Sequence, residues 1–308
     1  MFKKITFLFL IISPILNSQI ISEQLVKRHI SALSSDLMEG RKAGTNGIEK
    51  AAQYIENEFE RIGLKNFGTL KAYRQNFEQR GLSLFNVIGY LEGKSKKEEF
   101  VVISAHYDHL GVKLCEEEDL IFKGSNEKAS GVSAVLALAE LFSNKNNNER
   151  SILFIAFTAE EMGLIGSNYF GRNIDPEKII AGINIEMIGK ESPFGPKTAW
   201  LTGYNRSDFG EIIKKNLNGS EYTVYPDPYT RYNLFFRSDN ASLARLGVPA
   251  HTFSTSPMDK DLDYHKVSDE VDTLDPFTIS ETIKAIAAGT KSIIDGKDTP
   301  TRVVISKK

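Results

Sequence analysis

Most of this chain alternates apolar and polar positions at helical or strand spacing, but two stretches do not. Val101-Val102-Ile103-Ser104-Ala105 closes on His106-Tyr107-Asp108-His109, and Ile152-Leu153-Phe154-Ile155-Ala156-Phe157 runs through Thr158-Ala159 to Glu160-Glu161. Near-continuous apolar runs of this length are the pattern of strands buried on both faces, as in a parallel sheet. In such sheets ligands and catalytic groups gather beyond the carboxyl ends of the strands. The acids and imidazoles that end these two runs are therefore the leading candidates for function.

Around them the pattern predicts a regular alternation of elements. Apolar residues at helical spacing over Ser22 to Leu33, with Ser22 as cap, predict a helix. Ser35 to Arg41 reads as loop, and Ile48 to Ile62 as an amphipathic helix stopped by Gly63. Phe85 to Leu91 reads as a strand, and the charged run Glu92 to Glu99 as the solvated tip of a hairpin leading into the Val101 strand. Val132 to Phe142, rich in alanine, predicts a helix packed closely on a sheet. Helical pattern resumes after Gly163, and Ile179 to Glu186 reads as a strand. Trp200 falls in a further short strand and Ser207 to Leu217 in a helix. Tyr222 to Tyr232, rich in Pro and Tyr, reads as a long surface loop. Arg237 to Asn240 leads a helix into the strand Val248 to Phe253. A loop with Tyr264-His265 follows, and a last helix runs from Phe277 to Ile294. Strands alternating with helices predict a three-layer α/β/α sandwich around a mixed, mostly parallel sheet.

Composition narrows the classes. With 308 residues, 41% hydrophobic and 25% charged, the chain can bury one large core. A net charge of -2 carries no electrostatic footprint for nucleic acid. The single cysteine, Cys115, excludes an intramolecular disulfide framework and any site built on several thiolates. Lys3-Lys4, the apolar run Ile5 to Leu16 and Asn17-Ser18-Gln19 have the pattern of a secretory signal over residues 1–19, too short for a stable membrane anchor. No cysteine follows that run, so no lipid anchor is expected. The reading is a mature single domain over residues 20–308, secreted or periplasmic. Nothing in the sequence speaks to oligomeric state.

Histidines are few, which makes their placement informative. His106 and His265 lie near acids, Glu160, Glu161 and Glu186 fall at strand ends, and Glu127 precedes a helix. Imidazole plus carboxylate without thiolate is the ligand set of a catalytic zinc or another first-row divalent metal. Buried carboxylates at strand ends are costly unless a cation compensates them.

Five segments then meet a family in order. His106-Tyr107-Asp108, Glu127-Lys128-Ala129-Ser130-Gly131, Ala156 to Gly163, Ile183 to Gly189 and Asp263 to Asp269 resemble the motifs of the secreted di-zinc aminopeptidases, a family that includes glutamate carboxypeptidase and the glutaminyl cyclases. The resemblance implies a zinc-exopeptidase fold, peptide substrates and two zinc ions per chain. His106 and Glu186 would bind one, Glu161 and His265 the other, and Glu127 would bridge them. It also implies Glu160 as general base, and Asp108 as the group that orients His106. Tyr264 resembles the tyrosine that donates to the developing oxyanion, and reads equally as a core aromatic. His29, His109 and His251 match no ligand motif and are assigned structural roles.

The chain departs from the family pattern at named places. Glu127 and Glu186 stand where the family usually has Asp, so each carboxylate reaches about 1.5 Å farther. Lys128 replaces an acid or amide and would oppose a second cation if it pointed inward; its direction is open. Asn240 replaces a common histidine, with an expected effect on the substrate pocket. Three functions are compatible: a zinc aminopeptidase, a single-metal enzyme of the glutaminyl cyclase kind, and a non-catalytic binding domain with a degenerate site.

Overall fold

A computed structural model describes residues 21–113 and 120–304. The proposed signal segment and Cys115 lie outside the described residues. The strands in chain order are β1 (Lys65–Asn66), β2 (Arg74–Gln79), β3 (Leu82–Leu91), β4 (Lys96–His106), β5 (Gly111–Lys113), β6 (Leu120–Phe122), β7 (Arg150–Phe157), β8 (Ile179–Ile185), β9 (Thr198–Leu201), β10 (Thr223–Pro226) and β11 (Ala250–Ser254). The helices are α1 (Glu23–Leu33), α2 (Asn46–Ile62), α3 (Gly131–Lys145), α4 (Ile165–Arg172), α5 (Phe209–Leu217), α6 (Asn240–Ala244), α7 (Pro276–Gly289) and α8 (Lys291–Ile294).

Nine strands form one sheet in the order β1-β3-β7-β4-β8-β11-β9-β10, with β2 also on β3. Its centre, β7-β4-β8-β11, is parallel, while β3 and β9 join it antiparallel. The apolar runs are central for the reason their pattern suggests. Alternate residues of β4 face opposite layers: Val101, Ile103 and Ala105 pack under α1, α2, α3, α5 and α7, and Val102 packs with Phe170 of α4 and Leu243 of α6. That is a mixed, mostly parallel sheet between two helical layers. Parallel pairing sets His106 beside Phe157 and Ser104 beside Asn184, so β4, β7, β8 and β11 all end at one edge.

Local chemistry explains most element ends. The Ser22 hydroxyl accepts the Leu25 amide at 3.1 Å and caps α1. Gly63, with φ of 82°, closes α2 in the left-handed conformation glycine tolerates.

Four expectations need correction. The stretch between Leu91 and β4 is not a hairpin tip, because β7 lies between β3 and β4 and takes its hydrogen bonds from both. β2 was not expected: in Arg-Gln-Asn-Phe-Glu-Gln only Phe77 is buried, so an edge strand that faces water leaves little apolar period. The Tyr222 to Tyr232 stretch starts as β10, paired to β9, before it loops. The last helix is broken at Thr290, whose hydroxyl donates back to the Ile286 carbonyl at 2.7 Å, a local bond that competes with helix continuation.

Candidate active site

The residues beyond the carboxyl edge of the sheet are held by buried hydrogen bonds. Ser35 to Arg41, expected as loop, forms a tight turn bent at Glu39 and Gly40. A Cβ at Gly40 would lie 2.3 Å from the Gly111 carbonyl oxygen, so only glycine allows this approach of backbones. The turn drives Arg41 beneath the site, where its guanidinium donates to the carbonyls of Leu33, Tyr107, Lys123 and Gly124. Burial lowers its pKa to about 10, and it remains charged at neutral pH. One side chain thus ties the loop after β4 to the loop before α3.

The turn after β7 is fixed by Asp108. The amides of Glu160 and Glu161 donate to its Oδ1 and Oδ2 at 3.0 and 3.2 Å. This is a contact that the sequence reading did not include. The nearest acceptor for His106 Nδ1 is the Asp108 carbonyl oxygen, at 3.0 Å, with the carboxylate at 3.5 Å. A carbonyl can only accept, so Nδ1 carries the proton and Nε2 is the nitrogen turned toward the acids. Asp269 does the same service for the loop before α3, accepting the Asn126 and Glu127 amides at 2.7 and 2.9 Å. Three further residues, Ala159, Met187 and His265, have φ of 53°, 46° and 58°. Left-handed backbone without glycine is costly and gathers at functional sites.

These devices bring together all eight residues singled out in the sequence. His106 Nε2 lies 3.5 Å from Glu127 Oε1, 3.7 Å from Glu160 Oε2 and 3.9 Å from Glu186 Oε2. His265 Nε2 lies 3.1 Å from Glu161 Oε1. Two sets with metal-binding spacing result: His106, Glu127 and Glu186, and His109, Glu161 and His265. Tyr264 stacks on His265 with ring centroids 4.0 Å apart and lines the cavity with Glu127, Glu160 and Glu186. That cavity continues along Met187, Trp200, Leu234 and Met258.

His109, read from sequence as structural, lies beside the site. Its Nδ1 lies 3.1 Å from the same Glu161 oxygen that faces His265. Its position three residues after His106, on the same loop, was the available signal. The remaining histidines are interior: His29 bonds the Tyr54 hydroxyl at 2.8 Å, and His251 bonds Ser207 and the Thr202 carbonyl. Asn240 does not line the cavity, against expectation. It is buried behind β11, donating to the Phe235 carbonyl and accepting from Thr252 Oγ1.

Lys128, whose direction the sequence left open, points inward. Its side chain is fully buried and its ammonium pairs with Glu186 Oε2. Glu186 Oε1 accepts from the Ser238 hydroxyl and, at 3.2 Å, from the Asn184 amide. The peptide bond between Glu127 and Lys128 is cis.

Burial dominates the electrostatics. It raises the pKa of Glu160 to about 8, with His106 opposing and Asp239, Asp108 and Glu161 adding to the rise. Glu161 feels burial too, but hydrogen bonds from His109 and His265 outweigh it and hold this carboxyl well below the usual range. Adjacent glutamates are thereby driven apart, one retaining a proton and one ionised, which is the separation an acid–base group and a ligand require. Burial pulls Lys128 down against the carboxylates of Glu127, Glu160, Asp239 and Glu161.

The donor set tests whether a metal fits. Nε2 of His106 and His109 and Oε2 of Glu127 are buried without a hydrogen-bond partner among the described residues, while His265 Nε2 faces the Glu161 carboxylate at 3.1 Å. Unmet lone pairs in a buried place are expensive. Imidazole nitrogens and carboxylate oxygens that converge without thiolate suit zinc.

Residues 86–290 match the model of "Peptidase family M28". The aminopeptidase YwaD of Bacillus subtilis (strain 168) is 29% identical over 186 residues, a match covering 59% of this chain and 34% of that protein. The chain spans about a third of the length of this and two other curated relatives that it matches. Among solved structures, a zinc aminopeptidase from Bacillus subtilis superposes with TM-score 0.71 at 15% identity, covering 94% of this chain and 99% of that one. A glutaminyl cyclase of Porphyromonas gingivalis does so with TM-score 0.69 at 14% identity, covering 90% of this chain and all of the other.

Proposed function

The chain belongs to peptidase family M28, and on that premise we propose that it is a zinc-dependent aminopeptidase that releases N-terminal residues from peptides. The observation that carries this reading is the position of Glu160. Its carboxylate lines the cavity, takes no hydrogen bond from a side chain among the described residues, and stands 3.7 Å from His106 Nε2.

Glu161, His265 and Glu127 would hold the zinc. When bound, it supplies Lewis acidity that lets water act as a nucleophile at neutral pH. Glu160 takes the proton of the attacking water and returns it to the leaving amine. The Tyr264 hydroxyl donates to the substrate's carbonyl oxygen as charge builds there. Met187, Trp200, Leu234 and Met258 offer an apolar wall to the side chain of the substrate's N-terminal residue. The basic N-terminus and its apolar run support secretion of the mature chain.

Glu160→Gln is expected to leave zinc content unchanged and to lower kcat/KM on a free-amine peptide by about 10²- to 10⁴-fold. A loss below about tenfold would refute the assignment. One observation favours a second reading, glutaminyl cyclisation: the Lys128–Glu186 pair closes one of the two cation positions. Peptides that begin with glutamine separate the readings, since one reaction releases the residue and the other retains it as a ring.

A further inference from the structure

The three departures from the family pattern, at Glu127, Lys128 and Glu186, lie together in space. Lys128 follows Glu127 in sequence and meets Glu186 across the site. A Cβ at Gly131 would stand 2.5 Å from the Ile185 carbonyl oxygen and 3.1 Å from Lys128 Cε, so the aliphatic stem runs over a glycine that the close approach of backbones already requires. Glu186 is already held by protein groups, with Ser238 and Asn184 on Oε1 and the ammonium on Oε2. Oε2 is also the oxygen that faces His106 Nε2 at 3.9 Å. The gap in which a cation would join His106 to Glu186 is thus bordered by a positive charge that the chain itself supplies.

The other half of the site is different. Among the described residues no lysine or arginine pairs with Glu161, whose partners are the imidazoles of His109 and His265, and His109 Nε2 has no hydrogen-bond partner.

We propose that the Lys128 ammonium takes the place of one of the two metal ions, so that the chain binds a single divalent cation on the Glu161–His265 side and keeps a fixed protein cation on the Glu186 side. The sequence expectation of two zinc ions is replaced by one zinc and one lysine. A divalent ion brought to His106 and Glu186 would have to displace the ammonium from its carboxylate or sit against it, and like charges that close oppose one another in a buried site. The longer glutamate at position 186 reaches the ammonium as a paired acid rather than a ligand. The departures at Lys128 and Glu186 become one change.

The inference rests on reading the site as a metal centre, not on its aminopeptidase activity, and metal counting separates the two. The full chain, saturated with zinc and desalted, is expected to retain one zinc per chain by elemental analysis. Lys128→Asn, which restores the neutral amide common in the family, is expected to retain two. Two zinc ions on the natural chain, or one on a folded Lys128→Asn variant, would overturn the inference. No zinc on the natural chain would overturn the metal-centre reading itself and the inference with it. Should Lys128→Asn fail to fold, Glu186→Gln decides the matter: one zinc retained with a lowered melting temperature supports the lysine pair, and loss of one equivalent from a starting count of two refutes it.

Discussion

The two halves of the site are made of the same kinds of residue and finished differently. On the β4 and β8 side, Glu186 accepts from Ser238 and Asn184 on one oxygen and pairs with Lys128 on the other. On the side built from the β7 turn and the loop after β11, Glu161 faces two imidazoles, through His109 Nδ1 and His265 Nε2, and His109 Nε2 has no hydrogen-bond partner among the described residues. The difference teaches that a ligand set is recognised by what the protein leaves undone as well as by residue type. A carboxylate satisfied by protein donors gains little from a metal, because the ion must first strip those donors away. Free nitrogens held in a buried place gain a great deal.

The largest effect that would break this contrast is on zinc affinity. His265→Ala removes a ligand from the open half and is expected to weaken zinc binding by more than the roughly 10- to 100-fold typical of losing a supporting partner. His106→Ala touches the closed half and is expected to stay within that range. Titration of both variants with zinc in competition with a chelator reads the difference. Equal losses would mean that the halves are equivalent.

A smaller effect is expected at Asp108, which holds the amides of Glu160 and Glu161 together. Asp108→Ala frees the turn that aims the base and the open-half ligand, with an expected fall of about 10- to 100-fold in kcat/KM and weaker zinc binding in parallel. Asp108→Asn retains one acceptor and should fall less. If Asp108→Ala lowered activity with zinc affinity untouched, the carboxylate would be serving the base alone.

How much of this was legible beforehand depended on whether a feature was written in residue type or in direction. The apolar runs of β4 and β7 announced central strands, and the acids and imidazoles that end them announced the edge where the site lies. Five motifs in order pointed to the family now matched over residues 86–290. What stayed hidden were directions. Nothing in the string Glu127-Lys128-Ala129 tells that the lysine turns inward, because its path is cleared by Gly131 and its partner is supplied by Glu186 from another strand. His109 looked structural because it belongs to no ligand motif, and only the fold brings it to Glu161. Ala159, Met187 and His265 adopt left-handed backbone with no glycine to announce it. Asn240 appeared to border the cavity by analogy of position, yet its side chain is spent on Thr252 and Phe235.

The smallest expected effect concerns the group between the halves. In protein stripped of metal, the pKa of Glu160 is raised to about 8, first by burial and then by Asp239, Asp108 and Glu161, against His106. Between its ordinary value of 4.5 and about 8 the folded state therefore holds a proton that the unfolded state has released. The stabilising contribution is fully present below 4.5 and is lost as pH rises through that window, so stability should decline with pH by at most about 1.4 kcal/mol per unit for this one group. His29 and His251, held by burial at about 3 and about 4, act in the opposite sense, but only below their ordinary 6.5. The interval from pH 6.5 to 8 is thus free of them. Urea unfolding of the metal-free protein across that interval is expected to give a falling midpoint, and Glu160→Gln, which has no proton to lose, a flatter one. Bound zinc should flatten the natural protein in the same way, since a cation beside the carboxylate favours its charged form. If the metal-free natural protein and Glu160→Gln shared one pH dependence, Glu160 would not be the group that holds the proton, and the base would have to be sought elsewhere in the cavity.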